Sequence, residues 1–297
     1  MFPPYLRYIS ICMIIISIFA CKNQSSNIPE IEPKTFDSYW NIDKAEITRY
    51  TLSQSDQGTV YNGIVALVFV PEQFSGTKQV KLNEPIRNPS DAIRVLRLTI
   101  SKEFMTGMNK QSLMSTVFTA IDYEDYPHAL KLTSGSQNWD GQSFMQFNWK
   151  GNRFQIQQMS NFETEGDKSS AIPGAWLEDE IWTKIRVAPN TLPIGDVTMI
   201  PSTIFIHLTH QVIKAYDAIA SIKSDDISYT YSISYKELKR TIDIMFEKQF
   251  PYKILGWKEN YGDNEVVTAT IEKTMNTDFL KNNKAEDEFF LDSLILK

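Results

Sequence analysis

The sequence predicts a mainly β fold: one large antiparallel sheet, curved into a barrel or half-barrel or folded over as two packed sheets. Three observations predict it. Residues 227–235 read ISYTYSISY, in which Ile227, Tyr229, Tyr231, Ile233 and Tyr235 alternate strictly with Ser and Thr. That period places the large side chains on one sheet face and the hydroxyls on the other. FMQFNW (144–149) and FQIQQMSN (154–161) flank Lys150-Gly151-Asn152, which reads as a hairpin with a glycine-containing turn. Finally, the chain has too few helical segments to supply the crossovers of a parallel sheet, so sequential hairpins imply an antiparallel meander.

The first element is not part of that sheet. MFPPYLRY carries one charge, Arg7, and precedes an apolar run, Ile9 to Ala20, of twelve residues. A helix needs roughly 20 residues to span a bilayer, so the run reads as the apolar stretch of a secretory signal. Its ending, Ile18-Phe19-Ala20-Cys21, resembles the lipobox of bacterial lipoprotein signal peptides, with Phe19 bulkier than usual at the variable position. The resemblance implies cleavage before Cys21 and lipidation of that residue with acyl chains such as palmitate. Cys12, the other cysteine of the chain, lies inside the segment to be removed, so Cys21 has no disulfide partner.

Residues 1–20 are therefore expected to be a lipoprotein signal peptide and 21–35, polar with Pro29 and Pro33, a lipid-anchored tether. Residues 22–26, Lys-Asn-Gln-Ser-Ser, lack both the Asp that acts as an inner-membrane retention signal in some bacteria and an acidic export cluster. The expected address is the outer membrane, facing the periplasm, held by lipid without a transmembrane helix.

Residues 36–297 are expected to form a β-rich domain. Strand signals run through 45–53, 59–70, 93–102, 112–121, 130–134, 144–149, 154–161, 198–208, 212–219, 227–235, 238–246, 252–259 and 266–273. Pro193-Ile194-Gly195-Asp196 is the best internal break, at which a division into two parts near 190–195 would fall. No internal repeat is evident.

Charge and motifs exclude several classes. Of 297 residues, 30 are basic and 36 acidic, a net charge of −6, which argues against a nucleic-acid partner, because that affinity comes from clustered Lys and Arg. The glycines form no G-x-G-x-x-G, and Gly58 to Gly63 is followed by Ile64 where a phosphate loop needs Lys. No G-x-S-x-G and no H-E-x-x-H occurs, so no cofactor is expected. A Ser-His-Asp set drawn from distant residues is left open.

The strongest candidate for chemistry is WLEDEIWTKIR (176–186), with three consecutive carboxylates. As a helix near 176–187, Leu177, Ile181 and Ile185 form an apolar stripe, and Glu178, Asp179 and Glu180 fall toward its start with Lys184 and Arg186 toward its end, the order the helix dipole favours. A single amphipathic helix closing over the sheet, acids in water, explains the segment. Glu180 and Lys184 are then expected to be a surface pair.

A catalytic reading needs a second carboxylate converging on the same substrate atom, and FETEGD, with Glu163, Glu165 and Asp167, is the supply. His207 and His210, three apart in an expected strand, face opposite ways and make a poor metal pair. Asp122, Glu124, Asp125 and His128 lack the spacing of a calcium loop. No metal site is expected.

The order FETEGD (162–167), LEDEIW (177–182), Ile185-Arg186, Pro189, Leu192-Pro193 and MIPS (199–202), with YNGIVALVFVPE (61–72) and FPYKILGWKE (250–259), resembles a family of envelope lipoproteins often labelled septum formation inhibitor Maf. The resemblance covers nearly all of the chain after residue 21. Genuine Maf proteins are cytosolic α/β nucleotide pyrophosphatases with a Ser-rich phosphate loop and a Lys-Pro motif; neither is present here, so that activity is not implied. The expectation is a non-catalytic binding or structural lipoprotein taking an apolar, glycan or envelope-protein ligand. The alternative is a periplasmic hydrolase using Glu163, Glu165 or Asp167 with Glu178 or Asp179.

Overall fold

A computed structural model describes residues 27–40, 44–56, 58–84, 87, 89–262, 265–278 and 284–288. Cys21 and the expected signal segment lie outside the described residues. A short helix α1 (Pro33–Tyr39) leads into β1 (Ala45–Asp56), β2 (Thr59–Ser75), β3 (Val80–Lys81), β4 (Ala92–Thr106), β5 (Asn109–Ala120), β6 (Lys131–Asn138), β7 (Gly141–Trp149), β8 (Arg153–Ser160) and β9 (Lys168–Pro173). After β10 (Trp176–Leu177) and α2 (Glu178–Val187) come β11 (Gly195–Ile200), α3 (Thr203–Thr209), β12 (Tyr216–Ser224), β13 (Ser228–Tyr235), β14 (Arg240–Glu247), β15 (Ile254–Tyr261) and β16 (Glu265–Thr277).

The 16 strands of the described residues belong to one sheet, ordered β10 through β16, then β1, β2 and β4 through β9, with β3 beside β2. Neighbours are antiparallel apart from the two-residue β10–β11 pairing, which is parallel. The two edges of the path, β9 and β10, are joined by only Gly174 and Ala175. Three Cα steps of 3.8 Å reach at most about 11 Å, so the sheet must curl until its edges almost meet. The expected curved antiparallel sheet is thus an incomplete barrel with one seam. The proline-glycine break at 193–196 lies just before and at the start of β11, inside this continuous sheet.

Inward and outward faces follow the alternation read from the sequence. Tyr231, Ile233 and Tyr235 of β13 are fully buried, as are Met145 and Phe147 of β7 and Phe154 of β8. Ile227 departs from the pattern at 80% exposure, because the Asp225 carboxylate accepts the Ile227 and Ser228 amides (2.8 and 2.7 Å) and turns the chain before the strand begins. Close approach also bends the sheet. In β2, a methyl group at Gly63 would overlap the Glu103 carbonyl oxygen and the Phe104 Cβ of β4, so only glycine lets these two strands come together there.

Two expected strands change. Residues 198–208 form the end of β11 and then α3, and the strand expected at 212–219 runs instead from Tyr216 to Ser224. Pro201 interrupts the ladder, and the first turn of α3 is capped from elsewhere in the fold: the Asp179 carboxylate accepts the Thr203 amide (2.8 Å) and hydroxyl (3.1 Å).

α2 lies where a helix was expected, but its acidic face does not meet water. All ten residues are buried, and Ile181, Trp182 and Ile185 pack with residues of β1, β2, β4 and β12–β16. The helix fills the barrel instead of covering it. Its ends are held by two buried ion pairs with the wall: Glu178 with Arg240 (2.5 and 2.7 Å) and Arg186 with Glu46 (2.7 Å for both bonds). Acid at the helix start and base at its end both suit the macrodipole.

The expected Glu180–Lys184 surface pair is also replaced. Glu180 accepts the Leu177 and Ala129 amides and meets His128 Nδ1 at 3.1 Å, while buried Lys184 lies over the Trp176 ring at 5.1 Å.

The antiparallel topology gives the barrel two ends. The β1–β2, β4–β5, β6–β7, β8–β9, β13–β14 and β15–β16 turns share one, the mouth, where α3 sits. α1 closes the other, the foot: Arg94 bonds Asp37 at 2.5 Å, and the Phe36 and Phe250 rings are 6.5 Å apart. Ile28, within the segment expected to be tether, is 4% exposed and joins the core.

Candidate functional site

At the mouth, β1, β4, β5, β6 and α3 end around a polar cleft of about 380 Å³. Gln54 and Asp56 enter from β1, Gln111 from β5, Asn138 from the end of β6, Asp140 from the β6–β7 turn, and Phe104, Phe162 and Tyr261 contribute rings. Beneath it lies a small cavity of about 40 Å³, walled by Val65, Leu67, Trp182, Phe205 and Trp257 and also by the charged Lys102, Glu178, Arg240 and Glu259. Gln54, Leu208 and Tyr261 line both spaces and form the partition. Gln54 is fixed there by Tyr261 Oη (3.0 Å) and by Lys102, whose ammonium donates to its Oε1 at 2.6 Å.

Lys102 is 6% exposed, and burial brings its pKa down to about 8, against a partly compensating attraction from Glu259. Its place was legible: Leu96, Leu98, Ile100, Lys102 and Phe104 share one parity, and all are buried. No motif marks it as functional, because a single Lys in a strand has none. Arg240 occupies a similar inward position, and its Nε bonds Glu259 at 2.6 Å while its other nitrogens hold Glu178.

His207 and His210 come from α3 and its left-handed C-cap, not from a strand. Both line the cleft. His207 Nδ1 meets Ser143 Oγ at 2.8 Å, and its buried Nε2 reaches no partner at hydrogen-bonding geometry among the described residues. Burial lowers its pKa to about 4, so it is neutral at physiological pH. His210 Nδ1 meets Glu165 at 2.6 Å, and Ser160 Oγ donates to the same carboxylate at 2.6 Å. Burial pushes Glu165 up, but these hydrogen bonds outweigh it and hold its pKa below the ordinary value.

The candidate carboxylates therefore fall into separate settings. Glu163 is exposed. Glu165 is tied to His210, and exposed Asp167 accepts the Ser160 amide at 3.2 Å, so these two share the Ser160 neighbourhood. Glu178 is committed to Arg240 and Tyr235. Asp179 accepts from Ser115 Oγ and Thr203 and is pushed up to about 6 by burial. Among the described residues no hydrogen bond or ion pair joins the loop carboxylates to those of α2. His128 is flanked by the rings of Trp149 (4.4 Å) and Trp176 (4.7 Å).

Chemically, the cleft offers side-chain amides that donate and accept, carboxylates that accept, and aromatic edges and faces. No family profile and no curated protein matches the chain. Among solved structures it is similar to the β-barrel-like protein of domain of unknown function DUF1849 from Brucella abortus, at 8% identity and a TM-score of 0.49, over 78% of this chain and 98% of that one.

Proposed function

We propose that the chain is a lipid-anchored envelope protein, held through Cys21 in the periplasmic leaflet of an outer membrane, whose barrel is a non-catalytic module binding a glycan in the mouth cleft. The observation that carries the ligand class is the contrast between the two spaces. Ligand sites commonly measure about 300–1,000 Å³, so the interior cavity, at about 40 Å³ and lined partly by Lys102, Glu178, Arg240 and Glu259, has room for a few waters and not for an acyl chain. The cleft above it, about 380 Å³ and rich in amides, carboxylates and rings, suits a polyhydroxylated ligand with apolar ring faces.

The envelope address rests on the lipobox-like ending at Cys21 and on the resemblance to envelope lipoproteins. The foot, where Glu30 meets Tyr123 Oη at 3.0 Å, receives the chain from its N-terminal segment. A lipid at Cys21 would therefore hold the foot toward the bilayer and leave the mouth facing the periplasm.

Calorimetric titration of the protein lacking residues 1–20 with neutral and N-acetylated sugars, and with a fatty acid, tests the ligand class. Sugar binding that Gln111→Ala or Asn138→Ala weakens at least tenfold is expected. Stoichiometric fatty-acid binding without sugar binding would overturn it.

A further inference from the structure

The charges that open on the mouth cleft have one sign. Its lining includes two exposed carboxylates, Asp56 at the end of β1 and Asp140 in the β6–β7 turn, and no Lys or Arg. Lys102 lies beneath the partition, where it donates to Gln54 and its charge is offset by Glu259. Arg240 is held there by Glu178 and Glu259. Of the two histidines, His207 is neutral and His210 faces Glu165.

More carboxylates stand behind this lining. Glu265 accepts the Gly58 amide at 3.1 Å in the β1–β2 turn, next to Asp56. Tyr261, part of the partition, feels Glu259, Glu265 and Asp56 together, and burial with these charges pushes its pKa up to about 12. The negative field therefore belongs to the cleft and not to one side chain. Both lining carboxylates are set in place by the fold. Asp56 is positioned by its backbone pairing with Thr59, and Asp140 by the Asn109 amide, which donates to one of its oxygens at 3.1 Å.

Two carboxylates beside the rings of Phe104, Phe162 and Tyr261 suit an ammonium group, which donates hydrogen bonds in several directions and lies favourably against aromatic faces. Phe104 already takes part in such a contact, with Lys102 Nζ 5.6 Å from its ring centroid. A metal ion would need more ligands, and among the described residues no three His, Cys, Asp or Glu side chains come together to hold one. His207 adds an independent opening. It lines the cleft at 5% exposure, and its Nε2 reaches no partner at hydrogen-bonding geometry among the described residues, which leaves a place for a ligand hydroxyl.

We propose that the glycan taken by the cleft is an amino sugar with a free amine, its ammonium received by Asp56 and Asp140 and a hydroxyl by His207. This rests on the reading of the cleft as a sugar site and narrows the ligand by charge. The test is calorimetric titration of the protein lacking residues 1–20 with glucosamine, N-acetylglucosamine, glucuronate and ethanolamine, at about pH 6, where amines and carboxylates are both charged. Acetylation removes the charge and keeps the ring, so the first two ligands isolate the ammonium. An exposed charge pair is worth only a few-fold, so two of them predict glucosamine binding at least fivefold tighter than N-acetylglucosamine. Most of that ratio should disappear in about 1 M salt, where screening acts within roughly 3 Å, and in Asp56→Asn and Asp140→Asn. Both side chains are exposed, and unchanged circular dichroism checks that the variants fold. Equal affinity for the two sugars, or tighter binding of glucuronate, would overturn the charge selection and leave the sugar reading standing. Ethanolamine binding as tightly as glucosamine would overturn the sugar reading, and the proposal with it, leaving a simple amine site. Binding of none of the four would overturn both.

Discussion

Arg240 and Glu178 are each fully buried, and among the described residues they bond each other, Arg240 also bonding Glu259 and Glu178 also accepting from Tyr235. Removing one partner strands a charge in the interior, so Arg240→Ala is expected to cost about 3–5 kcal/mol in urea unfolding, whereas the outward Gln155→Ala should change little. Two other buried groups oppose each other in pH. Asp179 is raised to about 6 from 3.8, so between those values the folded state binds the extra proton and stability falls as pH rises. His207 is lowered to about 4 from 6.5, so over that window the unfolded state binds the extra proton and stability falls as pH drops. The two effects largely cancel between about pH 4 and 6. Asp179→Asn should expose the histidine term, with stability dropping by roughly 2–3 kcal/mol on acidification from about pH 6.5 to 4. His207→Gln should show the reverse slope. Flat profiles in both variants, measured from urea midpoints, would refute this account. None of it was legible at residue level: WLEDEIWTKIR reads as a solvated acidic face, because its neutralising partners lie 62 residues downstream at Arg240 and 140 upstream at Glu46.

At the scale of elements, α2 shows how much a local pattern can and cannot say. The positions of its acids and bases along the segment predicted a helix, and one spans 178–187. The same pattern was compatible with a surface helix, since periodicity reports which face is apolar and not what covers the opposite face. Once the helix is inside, its packing carries stability. Ile185→Ala, at a fully buried position, is expected to cost about 2–5 kcal/mol, where a surface helix would lose far less. α3 was read as strand because Ile204, Phe205 and Ile206 are strand-favouring residues, and the carboxylate that caps its first turn is supplied by α2. Gly63→Ala should destabilise through the β2–β4 contact it blocks, visible as a lowered melting temperature with an otherwise similar β spectrum.

Across the whole molecule, the first and last strands complete the wall. β1 pairs with β16 over Ala45↔Thr277 to Gln54↔Val267, so truncation before residue 265 would open a second gap and free the edges of β1 and β15. Such a chain is expected to aggregate instead of folding, which size-exclusion chromatography would reveal. The address is tested separately: label from a palmitate analogue should be incorporated into the full chain and lost in Cys21→Ala, with the labelled protein in the outer-membrane fraction. The sequence by itself determined the fold class and the strands with strict alternation, because a period of two is imposed on each strand by its own backbone and by one-sided burial. The tertiary structure alone decided that the helix lies inside, that the edges nearly close, and that Gln54, Gln111, Asn138, His207 and Tyr261 share a cleft. Those outcomes depend on contacts between residues far apart in the chain, which only the curl of the sheet brings together.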